Sequence, residues 1–275
     1  MGPVPEEDAI ATVHASIEAG ATFIDTAEGY RTSEAVLGKA LRGRRHDVFL
    51  ATKVSGDQSR SHITTALENS LRALGTDFVD LYQLHGPRPQ WPIAETMAIL
   101  LEARAAGKIR YIGISNFSSE QTVEALRFGP IHSSQPRYNM LAREVEETIL
   151  PTCLENGVGV IAHTPLAKGL LSGRYRPGHT FSDDDERSRH SVTSAESLEK
   201  AAIVSSRLGS FAADHGRSLA ELAIAWTLAH PAITSSIVGA KTPEQARANA
   251  AASTWKLSQD DLGEIDRLIA TEGDA

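Results

Sequence analysis

The chain has 275 residues, 41% of them hydrophobic and 23% charged, which suits one soluble globular domain over residues 1–275 and excludes a disordered or fibrous protein. A formal net charge of -8 argues against a general nucleic-acid or anionic-membrane surface, so an anionic ligand must find a local basic site. The single cysteine, Cys153, cannot form an internal disulfide and suits a reducing compartment.

The opening Met1-Gly2-Pro3-Val4-Pro5-Glu6 has no basic segment followed by an apolar stretch, and Glu6 stands where a myristoylation signal wants Ser or Thr. The final residues form no prenylation box, and no apolar run approaches the ~20 residues of a spanning helix. The expected location is the cytoplasm.

Helical and strand patterns then alternate. A helix from Glu7 to Glu18 presents Ile10, Val13 and Ile17 on one face, ends at Gly20, and leads into a strand from Thr22 to Asp25. Ser33 is the expected cap of a helix to Leu41, followed by a strand from Asp47 to Thr52; Ser61 is the expected cap of a helix to Leu74, followed by a strand from Phe78 to Leu84. A helix from Ile93 to Ala106 precedes a strand from Arg110 to Ile114. A helix near Glu120 to Arg127 then precedes the segment Ile131 to Gln135.

In the second half, a helix from Glu144 to Glu155 carries Cys153 on its buried face and is stopped by Gly157 before a strand from Val158 to His163. Beyond a polar stretch from Ser172 to Ser194, whose acidic run Phe181 to Arg189 reads as a mobile loop, lie helices at Ala195 to Ala213 and Ser218 to Ala229. The last strand is expected at Ser236 to Gly239, with helices at Pro243 to Ala251 and Ser258 to Ile269. Such alternation means parallel strands with right-handed crossovers. The α/β alternatives are a TIM (β/α)8-type barrel short of one strand and a doubly wound sheet; the absence of a G-x-G-x-x-G turn and the clustering of polar residues after strands favour the barrel.

Four polar residues follow three of these strands: Asp25, Tyr30, Lys53 and His85. In parallel strands they converge on one rim. Carbonyl reduction by hydride needs such a set, because oxygen must gain a proton as carbon gains H⁻. Tyr30 is the candidate acid. A free phenol, with a pKa of about 10, is a poor one, so it needs a neighbouring cation. Lys53 supplies that charge, Asp25 holds the ammonium and keeps it protonated, and His85 can hydrogen-bond the carbonyl oxygen.

The segments Phe23-Ile24-Asp25-Thr26-Ala27-Glu28-Gly29-Tyr30, Ala51-Thr52-Lys53, Asp80-Leu81-Tyr82-Gln83-Leu84-His85 and Gly113-Ile114-Ser115-Asn116-Phe117 resemble the signatures of the aldo-keto reductase family, in order, and the resemblance runs from about residue 5 to 270. It implies a barrel that binds NADPH without a Rossmann motif and uses Asp25, Tyr30, Lys53 and His85 as its catalytic tetrad. It also implies that Ser115, Asn116 and Gln135 bond the nicotinamide carboxamide, and that Thr164, Pro165 and Leu166 approach the pyrophosphate. His163 stands where the family has an aromatic, most often Tyr, stacked on the nicotinamide; imidazole can stack, but with less area.

The segment from Gly239 to Asn249 resembles the family's adenosine clamp. There a helix N-terminus suits phosphate, Lys241 can pair with a 2′-phosphate and so favour NADPH over NADH, and Gln245 and Asn249 match adenine and ribose contacts. Ala248 occupies a position that is commonly acidic. Gly86 replaces a bulkier residue after the histidine and widens the pocket, while Arg137 and Tyr138 reach the pocket or cover the rim.

The resemblance further implies an N-terminal hairpin and first barrel strand, which this chain is expected to lack, beginning at the helix that follows them. The expected partner is a small-molecule carbonyl substrate, with no nucleic acid and no membrane; natural substrate and oligomeric state are not legible. Two other readings stay open. One is a metal hydrolase using Asp25, His85 and His163, weakened by the lack of an H-x-H pair. The other is a non-catalytic NADPH-binding accessory or sensor protein, or an inactive truncated reductase relative.

Overall fold

The computed structural model describes residues 4–173 and 195–270. Helix α1 (Glu6–Glu18) leads to strand β1 (Phe23–Asp25), then α2 (Ser33–Ala40), β2 (Phe49–Val54), α3 (Arg60–Leu74), β3 (Val79–Leu84), α4 (Ile93–Ala105), β4 (Ile109–Ser115), α5 (Ser119–Leu126) and β5 (Ser133–Gln135). There follow α6 (Ile149–Glu155), β6 (Gly159–His163), α7 (Ala195–Asp214), α8 (Leu219–Ala229), β7 (Ile233–Ile237), α9 (Pro243–Ala252) and α10 (Gln259–Ile269). The seven strands pair in parallel and in chain order. The outer strands β1 and β7 approach one another with no ladder between them among the described residues, so the barrel is nearly closed. Helix α1 packs on α2 at one side and α9 at the other, which completes the helical ring outside that gap. No helix of the described residues is long and apolar enough to cross a membrane.

Because side chains alternate along a strand, each strand here serves two cores. Outward residues such as Leu50, Val54, Tyr82, Leu84, Ile112 and Val160 pack with Leu67, Leu71, Leu100, Leu222 and other helix residues in the large outer core. Cys153 lies there, fully buried on α6. Inside the barrel, Ala51, Leu81 and Ile161 form a smaller cluster with Phe23, Phe49 and Ile237. The next inward position on four of these strands is polar: Asp25, Lys53, Gln83 and His163. The apolar cluster is therefore the floor on which the polar rim stands.

Several boundaries differ from those expected. Ser33 is the first residue of α2 rather than its cap, because its hydroxyl accepts from Thr26 Oγ1 at 2.8 Å. The cap of α3 is Ser59, not Ser61: Asp57 Oδ1 accepts from Ser59 N at 2.6 Å, and that turn starts the helix earlier. The helix expected from Glu144 to Glu155 splits into a 3-10 turn (Glu144–Glu146) and α6. Pro151 explains the break, since a continuous helix would need its missing N–H, whereas a start at Ile149 puts the proline in the first turn. The last strand is Ile233–Ile237 rather than Ser236 to Gly239. The acidic run Phe181 to Arg189 lies outside the described residues.

Gly113 on β4 shows how little space the interior leaves. A Cβ there would lie 2.5 Å from Ser133 Oγ and 2.8 Å from Gln83 Cγ. Gly113→Ala is expected to destabilise the fold by roughly 1–3 kcal/mol through overpacking, read as a lowered midpoint in thermal unfolding. An unchanged midpoint would show that β3 and β5 yield freely at this level.

Candidate active site

The rim begins where the ladders continue past the strands. Thr26 N donates to Ala51 O at 3.0 Å, Glu28 N to Lys53 O at 3.2 Å, His85 N to Val54 O at 3.0 Å and Asn116 N to Gln135 O at 3.2 Å. These bonds hold successive strand-end residues at one level. Lys53 is fully buried, and its ammonium bonds Asp25 Oδ1 and, at 3.0 Å, the carbonyl of Thr26. Asp25 Oδ2 accepts from Gln83 Nε2 and Gln135 Nε2, each at 3.0 Å. Four strands thus meet on one carboxylate.

Burial is the larger influence on Lys53 and pulls its pKa below that of a free lysine; the Asp25 charge and hydrogen bond oppose it. The expectation that Asp25 keeps the ammonium charged survives only as this opposing effect. Lys53 Nζ lies 5.5 Å from the centroid of the Tyr30 ring. Tyr30 is 48% exposed at the mouth, and its Oη is 3.3 Å from His85 Nε2, the two rings meeting edge to face. His85 Nδ1 lies 2.7 Å from Ser55 Oγ, and burial together with Lys53 lowers the pKa of His85, favouring the neutral ring. All four tetrad candidates therefore share one site.

The nicotinamide candidates adjoin it. Ser115 Oγ donates to Gln135 O at 2.9 Å, and Asn116 Nδ2 donates to Ser115 Oγ at 3.0 Å and to the carbonyl of His85 at 3.1 Å. The Nε2 of His163 lies 2.9 Å from Asn116 Oδ1 and its Nδ1 lies 2.7 Å from Thr164 Oγ1, so both ring edges are tied and the faces are left for stacking. Burial first, then Lys53 and Arg137, lower the pKa of His163 to about 4, so it is neutral at physiological pH. Asn116 and Thr164 both adopt left-handed backbone, with φ of 57° and 60°. Pro165 is buried and Leu166 half-buried just beyond.

The remaining candidates form a second cluster after β7. Pairing of His163 with Ile237 puts that cluster at the same barrel end. Gln245 Oε1 accepts from Lys241 N at 2.8 Å, and Asn249 Nδ2 donates to the carbonyl of Gly239 at 3.5 Å, so both side chains brace the loop. Thr242 caps α9 and Pro243 fills its first turn. Lys241 is exposed and forms no ion pair among the described residues. Arg137 turns to Glu144 at 2.5 Å, and buried Tyr138 donates to Glu146 at 2.6 Å and packs on Trp226, so Tyr138 belongs to the outer core.

Three contributors went unmarked in the sequence reading: Gln83, Ser55 and Glu28. Gln83 had a signal, since an amide within the apolar run Leu81 to Leu84 needs a buried partner. Among the described residues no group of three or more His, Cys, Asp and Glu is placed to hold a metal ion, so Asp25, His85 and His163 do not assemble as the hydrolase reading required.

A profile described as the Aldo/keto reductase family matches residues 1–270. The chain is 36% identical to "Aldo-keto reductase YhdN" of Bacillus subtilis, over 98% of this chain and 85% of that protein. The solved glycerol dehydrogenase AKR11B4 of Gluconobacter oxydans superposes with a TM-score of 0.90 at 30% identity, covering 98% of this chain and 87% of that one. An aldo-keto reductase of Klebsiella pneumoniae solved in complex with NADPH has a TM-score of 0.79 at 32% identity, covering 96% and 85%.

Asp25→Asn would leave the Lys53 ammonium buried without its counter-charge. The expected loss is about 3–5 kcal/mol of unfolding free energy, measured with urea at about pH 7. A folded lysine pKa below 10.5 means that the unfolded chain binds more protons between the two values, so the variant should recover stability as pH rises through that window. A loss below about 1 kcal/mol would show that the amine escapes its charge at little cost.

Proposed function

The chain belongs to the aldo/keto reductase family, and from that membership and the rim geometry we propose that it reduces an aldehyde or ketone to an alcohol with NADPH, Tyr30 acting as general acid. The observation that carries this reading is the shared placement of Tyr30, His85 and the Lys53–Asp25 pair. As the phenol gives its proton to the carbonyl oxygen, negative charge grows on Tyr30. The Lys53 ammonium, 5.5 Å from the centroid of that ring, stabilises the growing charge. His85 borders the same oxygen and orients the carbonyl. Phe23, Phe49 and Leu81 form an apolar floor beneath the pair.

The residues present fit the cofactor. Bound NADPH supplies the hydride. Gln135 spends its Nε2 on Asp25 and Gln83, and its Oε1 is left to accept from an amide N–H. The tied ring of His163 offers a flat neutral face, smaller than the tyrosine common in relatives. Lys241, exposed beside the capped start of α9 and in no ion pair among the described residues, carries a charge suited to a 2′-phosphate. Thr164, Pro165 and Leu166 would follow the pyrophosphate, and Gln245 and Asn249, which brace the loop, would set its shape for the adenosine end.

Purified protein is expected to oxidise NADPH in the presence of a reactive aldehyde such as 4-nitrobenzaldehyde. Tyr30→Phe should lower kcat roughly 10²- to 10⁴-fold with NADPH binding nearly intact. Equal turnover in the variant refutes Tyr30 as the acid, and tight cofactor binding with no turnover in the unmodified chain favours the accessory or sensor reading. In a separate fluorescence titration, Lys241→Ala should weaken NADPH about tenfold and leave NADH unchanged. Equal loss for both would remove the 2′-phosphate assignment.

A further inference from the structure

We propose that Ser55 is a positioning residue that fixes the ring proton of His85 on Nε2, so that this imidazole meets the substrate carbonyl as a hydrogen-bond donor. The proposal rests on the reading that His85 faces the reacting oxygen. Ser55 and His85 each follow a strand end directly, and the bond from His85 N to Val54 O at 3.0 Å sets them side by side on β2 and β3. Ser55 N donates to Glu28 Oε1 at 2.5 Å, and the same oxygen lies 3.1 Å from His62 Nε2, so the serine backbone is held from the β1 loop. The backbone of that loop also walls the hydroxyl: a Cβ on Gly29 would sit 3.1 Å from Ser55 Oγ.

A neutral imidazole carries one N–H, and its position follows from the partner of the other nitrogen. His85 Nδ1 at 2.7 Å is the hydrogen-bond partner of Ser55 Oγ among the described residues. If the hydroxyl donates to Nδ1, every polar atom in the pair is satisfied and Nε2–H points toward Tyr30 Oη, 3.3 Å away. The reverse assignment leaves the hydroxyl proton without an acceptor among the described residues and turns the Nε2 lone pair on Tyr30, where it competes with the substrate for the phenolic proton. The charged groups that bear on this ring are Lys53, Asp25, Arg88 and Glu28. Burial and Lys53 both favour its neutral form, which is the form in which a tautomer choice exists.

The test is ¹⁵N-histidine NMR on the full chain, with the His85 signals assigned by their loss in His85→Ala, alongside kinetics of Ser55→Ala. The expected result is a protonated Nε2 and an unprotonated, hydrogen-bonded Nδ1 in the unmodified protein. Ser55→Ala should show mixed tautomers at His85 and a kcat lowered roughly tenfold, with the KM for NADPH unchanged. A protonated Nδ1 in the unmodified protein, or Ser55→Ala with unaltered tautomer and turnover, overturns the proposal. Absence of NADPH oxidation by the unmodified protein would instead refute the reductase reading, and the NMR spectrum alone would then decide the role of Ser55.

Discussion

A buried ammonium and carboxylate at the top of the barrel constrain everything around them. Lys53 is fully buried, and an isolated charge there would cost several kcal/mol, so the fold must deliver Asp25 to it. Delivery requires β1 and β2 to pair in one register, Asp25 lying level with Ala51 and Lys53 reaching back across the ladder. The same carboxylate then engages Gln83 from β3 and Gln135 from β5, so the barrel's curvature is held at its upper end by bonds to one side chain. Stability and the proposed chemistry thus share atoms: any shift that loosened the ion pair would also move the cation away from Tyr30.

Strain gathers at the same rim. Arg31, Asn116, Thr164, Ala167 and Lys168 all take positive φ, a region that residues other than glycine enter at a cost, and each follows a strand end or a rim loop. For Asn116 and Thr164 the compensation is visible. Their side chains bond the two nitrogens of His163 and so fix the ring plane at the place where a nicotinamide would stack. In the proposed stacking role a histidine would offer less area than the family's usual tyrosine, but a ring pinned at both edges would lose less conformational freedom on binding than a loosely held one.

Much of this was legible in the chain. Asp25, Lys53 and His85 stand out because each ends or follows an apolar run, where a polar residue is either capping a turn or working. Tyr30 is legible through chemistry rather than periodicity, since a phenol five residues beyond a strand has no pattern to mark it and gains meaning only beside Asp25, Lys53 and His85. Strand β7 is expected at Ser236 to Gly239 but runs from Ile233 to Ile237, and Thr234, which precedes the expected start, joins the sheet by accepting from Val160 N at 3.2 Å. The break before α6 was missed because apolar periodicity carries through Pro151, although the proline's missing N–H forbids the longer helix. Ser55 and Glu28 escaped for a different reason: a single hydroxyl or carboxylate in a polar loop says nothing of its partner until the loops are brought together.

The barrel interior is divided into two levels, an apolar floor and the polar rim on which the proposed acid depends. Below, Phe23 stacks on Phe49 at 5.2 Å and Phe49 on Tyr111 at 5.9 Å, with Ala51, Leu81 and Ile161 filling the space. Above, charge and hydrogen bonds meet within one residue's step along each strand. Fully buried Lys53 stands above that apolar floor, and the centroid of the Tyr30 ring lies 5.5 Å from its Nζ toward the open mouth, where Tyr30 is half exposed. A surface lysine at the same distance would be screened by solvent and would act on the phenol more weakly. The apolar residues beneath the rim would therefore support the proposed proton transfer without touching the reacting groups, and the alternation of side chains along parallel strands supplies both levels from the same segments of sequence.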